Sequence, residues 1–591
     1  MIATDFSQSP FCQQLSDRLS PLVQRLYPDH DQSALLQKIC DVASPHARDG
    51  STVTEKWDEQ TLFLITYGDS LLNQATGEAP LQTLAEFLEQ HLRDVLSVVH
   101  ILPFFPYSSD DGFSVIDYRQ VNPRLGDWQD IERIAQTFDV MSDLVINHVS
   151  SQSEWFQQFI QQQLPGRDYF ITCDPETDCS AVVRPRSTPL LTRVQTVKGL
   201  QHVWTTFSPD QVDLDFRNPA VLLEFIDIVL DYCHYGARFI RLDAVGFLWK
   251  QLGTSCMHLP QTHAAIRLIR EVLAMTYSRA AIVTETNVPN RENLSYFGNR
   301  NEAHMIYNFS LPPLLLNALI RGEAQHLKTW IMSMPPAPEG CAYFNFTASH
   351  DGIGMRPAEG LLADTELAEL FDTMQQFGGK ISYRRHGDGR QTPYEINISL
   401  FDALQGTLKG PDQWQRQRFL CSQLVMLSLE GIPAFYIHSL LATSNDYNRV
   451  QQTGQNRSIN RHQWDYELLQ QKLADPASDQ AWIFGQLKKL IQIRREQSAF
   501  HPNATQYTLH LHHPAILGMW RQSRDRAQSI FCLHNLSDAP QSLLLSEINL
   551  ICTDEWHDLL SGEKFSEDCT TIELAPYQTV WITNSGGENL C

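Results

Sequence analysis

The feature that most constrains the fold is a succession of eight short apolar runs between residues 61 and 439. They read TLFLITYGDS, VLSVVHILPF, FDVMSDLVINH, ARFIRLDAV, AAIVTETN, HMIYNFS, YFNFTASHD and GIPAFYIHS, and amphipathic stretches of helical spacing separate them. Short apolar runs that end in polar residues are what buried parallel strands look like, because both faces of such a strand are covered. Eight β/α alternations predict an α/β protein built on a closed (β/α)8 barrel, in which chemistry collects at the C-terminal ends of the strands. A doubly wound open sheet is the other arrangement the pattern allows.

The 591 residues exceed one ordinary domain. Residues 1–58 carry helix-like spacing and predict a helical N-terminal extension. Residues 59–504 predict the barrel, interrupted by loop-rich insertions at 149–212 and 352–410, and insertions of that length are commonly lids. After residue 505 the pattern turns to alternation, as in AILGMWRQ and TTIELAPYQTVWIT, which predicts a small antiparallel β-domain over 505–591.

Lys and Arg number 45 against 68 Asp and Glu, a formal charge of -23, so nucleic acid is disfavoured as a partner and any anion must find a local basic pocket. The 12 cysteines lack C-x-x-C spacing and suggest neither a zinc site nor a disulfide framework. The opening MIATDFSQSPFCQQLSDRLS has no basic segment followed by an apolar one, and no long apolar run occurs. The expectation is a soluble cytoplasmic protein, monomer or homodimer, with small-molecule partners and no membrane.

In the fourth run, Arg241 and Asp243 stand two residues apart, and a strand therefore points both to one side. Alone, such a pair reads as a structural ion pair. It has company at the ends of other runs: Asp143, Asn147 and His148 in DLVINH, Glu285 in VTETN, and His350 and Asp351 in FTASHD. Three carboxylates, Asp243, Glu285 and Asp351, converge with histidines and an arginine but without metal-ligand spacing. That combination points to acid/base and covalent chemistry on a sugar. Arg241 favours an ionised Asp243, whereas a general acid at Glu285 needs a raised pKa.

These four fragments, in this order, resemble the α-amylase family of retaining α-glycosidases and transglycosidases over roughly residues 60–590. The resemblance implies Asp243 as nucleophile, Glu285 as general acid/base and Asp351 as transition-state stabiliser, with Asn147, His148, Arg241 and His350 holding or orienting the glucosyl unit. A retaining mechanism implies nucleophile and acid about 5 to 5.5 Å apart.

Further stretches, among them VHILPFFPYSSDDGFSVIDY, VRPRSTPLLT, FSLPPLLLNAL, HDGIGM and SINRH, resemble the sucrose phosphorylase branch of that family. This implies no cofactor, inorganic phosphate being a substrate. It implies Arg186 and Tyr394 as phosphate-binding groups, Phe207 as an acceptor-side aromatic, Asp110 and Arg461 as a clamp on the far hydroxyls of glucose, and Phe113 and Phe247 as apolar walls. The segment ISYRRHGDGRQTPYEINIS departs from sucrose phosphorylase: it places Glu395 after the tyrosine and gathers Arg384, Arg385, His386 and Arg390. Such a basic cluster suits an anionic acceptor, and DGRQTPYEIN with the N-terminal extension is most similar to the glucosylglycerate phosphorylases. Sucrose or sucrose 6-phosphate phosphorolysis, α-glucoside hydrolysis or transglucosylation, and a non-catalytic amylase-like binding protein are the other readings.

Overall fold

The computed structural model describes residues 9–48, 55–186, 188–385, 391–548, 556–565 and 569–584. All eight apolar runs become barrel strands: β1 (Phe63–Thr66), β2 (Val98–Ile101), β3 (Asp139–Val145), β4 (Ala237–Asp243), β5 (Ala281–Thr284), β6 (Met305–Tyr307), β7 (Ala342–Phe346) and β8 (Ile432–Tyr436). Neighbours pair in parallel in chain order, and β1 closes the ring by pairing with both β2 and β8. An open sheet is thereby excluded.

Strand parity explains how the barrel interior is layered. Phe239, Arg241 and Asp243 share one side of β4. At the bottom, Phe63 meets Phe239 and Phe344 edge-on, each with ring centroids 4.9 Å apart, forming an apolar floor. One step higher the register sets Asp143 opposite Arg241, so a carboxylate and a guanidinium face each other inside the barrel. The next step brings Asp243 to the mouth.

The predicted insertions hold structure of their own. Between β3 and β4 lie a helix, Glu154–Gln161, a hairpin of Leu191–Thr196 with Gly199–Trp204, and a strand pair, His148–Ser150 with Gln211–Asp213. After β7 a three-stranded sheet forms with Gln391–Asn397 at its centre, flanked by Ile353–Gly354 and Lys380–Arg385. Towards the C-terminus, Thr505–Thr508, Ile516–Gln522, Ser529–Asn535, Thr579–Thr583, Trp556–Asp558 and Lys564–Phe565 make a six-stranded antiparallel sheet.

Near the N-terminus, α1 (Pro10–Leu26) and α2 (Gln32–Ala43) pack on the barrel helices Pro260–Thr276 and Pro219–His234. Ser9 and Asp31 cap them, each side chain accepting a backbone N–H of the first turn. The apolar stripe Leu15, Leu19, Val23 and Leu26 is buried against the barrel, and the Tyr27 hydroxyl donates to the Phe216 carbonyl at 2.9 Å. One expectation needs correction here. Cys12 and Cys40 form a disulfide between the two helices, although their separation of 28 residues carries no motif. The helical hairpin, and not local spacing, brings their Cα atoms to 5.6 Å. The other eight described cysteines are free. Among the described residues no helix is long and apolar enough to cross a membrane.

Candidate active site

A cavity of about 230 Å³ opens at the C-terminal end of the barrel. Thirteen of the residues singled out from the sequence line it: Asp110, Phe113, His148, Arg186, Phe207, Asp243, Phe247, Glu285, His350, Asp351, Arg384, Tyr394 and Glu395. Asn147, Arg241 and Arg461 stand behind that wall and act on it through hydrogen bonds.

Asp243 ends β4. Arg241 Nη1 donates to its Oδ1 at 2.9 Å and also to Asp143 Oδ1, while His100 Nε2 lies 2.6 Å from Asp143 Oδ2. Arg241 is therefore a buried cation shared between two aspartates. Burial is the strongest influence on Asp143, but Arg241 and His100 overcome it and hold the carboxyl below its usual value. Immediately after Asp243, Ala244 adopts φ 52°, a left-handed conformation that costs a non-glycine residue about 1–2 kcal/mol. Its N–H donates to Glu285 Oε2 at 3.2 Å, so that turn ties the ends of β4 and β5 together.

Arg241 does act to lower the Asp243 pKa, as expected, but its effect is outweighed. Burial dominates and raises Asp243 well above the usual carboxylate range, and Glu285, Asp143 and Asp351 add to the rise; Arg241 is what opposes it. Burial likewise raises Glu285. Two such carboxyls titrate as one pair, which retains a proton beyond the pH at which free carboxyls have lost theirs. Arg241 donates a charge-assisted hydrogen bond to Asp243, and the Ala244 N–H donates to Glu285, so the ionised form of each member of the pair has one donor.

Asp351 has the opposite setting. Burial would raise it, but Arg457, His350 and Arg461 together hold it well below the ordinary value. Arg457 bonds Asp351 Oδ1 and grips Glu395 with two parallel bonds, Nε to Oε1 at 3.0 Å and Nη2 to Oε2 at 2.6 Å. Glu395 is thus a buried partner of Arg457. Burial pushes His350 down to about 3, so its ring is neutral, and it stacks on Phe113 with centroids 4.9 Å apart and planes 6° from parallel.

Across the cavity His148 Nε2 lies 2.9 Å from the Phe113 carbonyl. Asn147 is fixed by Lys250, whose Nζ donates to its Oδ1 at 2.6 Å and pairs with Asp213 at 2.8 Å. Phe207 and Phe247 meet edge-on at 5.5 Å on the apolar side. At the outer edge, Arg186 of the first insertion donates through Nη1 to the Tyr394 hydroxyl of the second at 2.8 Å.

Asp110 and Arg461, expected to clamp the far hydroxyls of glucose, do not bond each other. Arg461 Nη1 donates to Asp111 Oδ2 at 2.6 Å, and its Nε to the His350 carbonyl at 2.9 Å. Asp110 instead faces the cavity and accepts from Gln211 Nε2 at 3.3 Å. Consecutive left-handed residues, Asp110 at φ 55° and Asp111 at φ 47°, turn the two carboxylates apart. Asp210 anchors that loop, accepting from Ser108 at 2.5 Å, Ser114 at 2.8 Å and Ser151 at 2.6 Å.

Sequence reasoning passed over Arg457, Asp111, Lys250, Asp213 and Arg356. For Arg457 the available signal was its position four residues before Arg461. Of the basic loop, Arg384 lines the cavity, whereas His386 and Arg390 lie outside the described residues. Among the described residues, no group of three or more His, Cys, Asp or Glu is placed to hold a metal ion.

A closed barrel whose mouth gathers Asp243, Glu285 and Asp351 around one cavity can carry acid/base and covalent chemistry on a sugar. Residues 90–352 match the family described as alpha amylase, catalytic domain, and the chain belongs to the α-amylase family. It is 44% identical over 535 residues to the glucosylglycerate phosphorylase of Spirochaeta thermophila, covering 89% of this chain and 90% of that protein. The glucosylglycerate phosphorylase of Escherichia coli is 40% identical over 528 residues, 89% and 92% of the two chains. The crystal structure of sucrose 6F-phosphate phosphorylase from Thermoanaerobacter thermosaccharolyticum matches with a TM-score of 0.70 at 27% identity, over 81% of this chain and 94% of that one.

Proposed function

We propose that the protein is a retaining phosphorylase that converts 2-O-α-glucosylglycerate and inorganic phosphate to α-glucose 1-phosphate and glycerate. The observation that carries the reading is that Asp243, Glu285 and Asp351 line one cavity whose outer edge is formed by the Arg186–Tyr394 pair. The relatives named glucosylglycerate phosphorylase, 40% and 44% identical over most of the chain, support the choice of substrate.

In the first half-reaction the Asp243 carboxylate attacks the anomeric carbon as Glu285 gives its proton to the glycosidic oxygen, and glycerate departs. Esterification removes the negative charge of Asp243, which makes Glu285 more acidic and readies its carboxylate as a base. Phosphate, held by Arg186 and Tyr394, then attacks the same carbon from the face glycerate left, passing its proton to Glu285. Two inversions give net retention. Ionised Asp351 holds the sugar hydroxyls and steadies the positive charge that develops on the ring. His148 and neutral His350 add hydrogen bonds to the glucosyl unit, and Phe113, Phe207 and Phe247 exclude water. No cofactor enters these steps. A cytoplasmic setting is part of the same proposal; eight of the ten described cysteines are free, which supports it, while the Cys12–Cys40 disulfide does not.

The test is incubation with glucosylglycerate with and without phosphate, assaying α-glucose 1-phosphate against free glucose. Phosphate-dependent glucose 1-phosphate is the expected product. Free glucose at equal rate in both samples contradicts the reading in favour of a hydrolase, and no product from any donor favours a binding protein.

A further inference from the structure

The cavity carries more positive charge than the one arginine that these steps give to phosphate. Arg186, Arg356 and Arg384 all line it, and among the described residues none of the three is paired with a carboxylate. Of the acids in the same cavity, Asp243 is engaged by Arg241, and Asp351 and Glu395 by Arg457, while Asp110 accepts from Gln211 and Glu285 from the Ala244 N–H. Glu359 stands exposed at the rim.

Arg356 is placed by ordered backbone. Its segment runs along the three-stranded sheet, with Gly354 opposite Glu395 and the Met355 N–H donating to the Tyr394 carbonyl at 2.9 Å. Arg384 sits on the other flanking strand, opposite Thr392. The strand that carries Tyr394 therefore has a half-buried arginine on each side, both directed to one cavity. A guanidinium fork matches a carboxylate with two parallel hydrogen bonds, and a half-buried one without a counter-charge favours whichever ligand brings it.

We propose that Arg356, supported by Arg384, holds the carboxylate of the acceptor and so sets a preference for an acidic three-carbon acceptor over its neutral analogue. This rests on the phosphorylase reading above, in which Arg186 and Tyr394 serve phosphate. One cluster of arginines then manages both anions that exchange at the anomeric carbon, with the carboxylate on the Arg356 side. A neutral acceptor leaves Arg356 without its partner, and the resulting penalty discriminates between acceptors.

The experiment runs in the synthetic direction from α-glucose 1-phosphate and measures kcat/KM for D-glycerate and for glycerol, which has a hydroxymethyl group where glycerate has its carboxylate. The quantity read is the ratio of the two, which is independent of the fraction of enzyme correctly folded. Arg356→Ala is expected to lower that ratio by about 10- to 100-fold, the worth of a charged hydrogen-bonding pair, and Arg356→Lys by less. Arg356→Gln serves as a second variant of similar length if the alanine variant is unstable. A ratio unchanged in the variants, or a raised KM for phosphate with the ratio intact, overturns this inference and leaves the phosphorylase reading standing. Wild-type enzyme that prefers glycerol or fructose to glycerate overturns both.

Discussion

Arg241 Nη1 lies 2.9 Å from Asp243 Oδ1 and bonds Asp143 at the same time, so one buried guanidinium joins Asp243 at the barrel mouth to the interior of the barrel. Removing Asp143 would leave Arg241 with Asp243 as its remaining close carboxylate and strip His100 of its bond. Asp143→Ala is therefore expected to destabilise the protein by about 3–5 kcal/mol, the cost of breaking a buried ion pair. It should also lower kcat by more than it raises KM, because Asp243 is then held too tightly by its cation. Urea unfolding and steady-state kinetics check this, and a variant with wild-type stability contradicts it.

Asp243 also bears on stability. Its folded pKa is raised above the unfolded value by burial, as is that of Glu285. The native state consequently binds protons that the unfolded chain has lost, and stability falls as pH rises from the ordinary carboxylate range through the raised values. Asp243→Asn removes this penalty. The inactive variant is expected to be more stable than wild type by about 1 kcal/mol near neutral pH, with the difference vanishing in acid. Thermal melting across pH reads the effect directly.

Arg457→Ala should act on pH dependence. Arg457 is the largest of the influences that oppose burial at Asp351, and without it the Asp351 pKa rises. In the proposed mechanism Asp351 steadies the developing sugar cation in its ionised form, so the acid limb of the kcat/KM profile is expected to move up by about 1–3 pH units. A profile whose acid limb stays in place, with activity merely scaled down, would assign Arg457 a structural role alone.

Arg186→Ala tests the phosphate side. Phosphorolysis is expected to fall by about tenfold or more, whereas release of free glucose from the same donor falls less, since water needs no guanidinium. Equal losses of glucose 1-phosphate and glucose would refute the assignment. The ratio of the two products in a single incubation suffices.

The barrel and the carboxylates were legible because they depend on local pattern: apolar runs mark buried strands, and parity alone puts Arg241 and Asp243 on one side of β4. What tertiary register decides was not legible. That Arg241 is shared with Asp143 follows from the alignment of β3 with β4, and that Arg457 grips both Asp351 and Glu395 follows from loops meeting across the cavity. Asp110 and Asp111 are adjacent acids in sequence; two left-handed residues in succession decide which of them reaches Arg461. The pKa of Asp243 was misjudged for a related reason, since the sequence displays the neighbouring cation but not the depth of burial that outweighs it.

The most direct measurement of the central claim traps the covalent intermediate. Glu285→Gln is incubated with α-glucosyl fluoride, whose leaving group needs no proton, then quenched, digested and analysed by mass spectrometry. The account predicts a glucosyl ester on the peptide containing Asp243, discharged by azide, a nucleophile that needs no general base. A glucosyl group on any other carboxylate, or an Asp243 peptide that remains unmodified while glucose is still transferred, would contradict it.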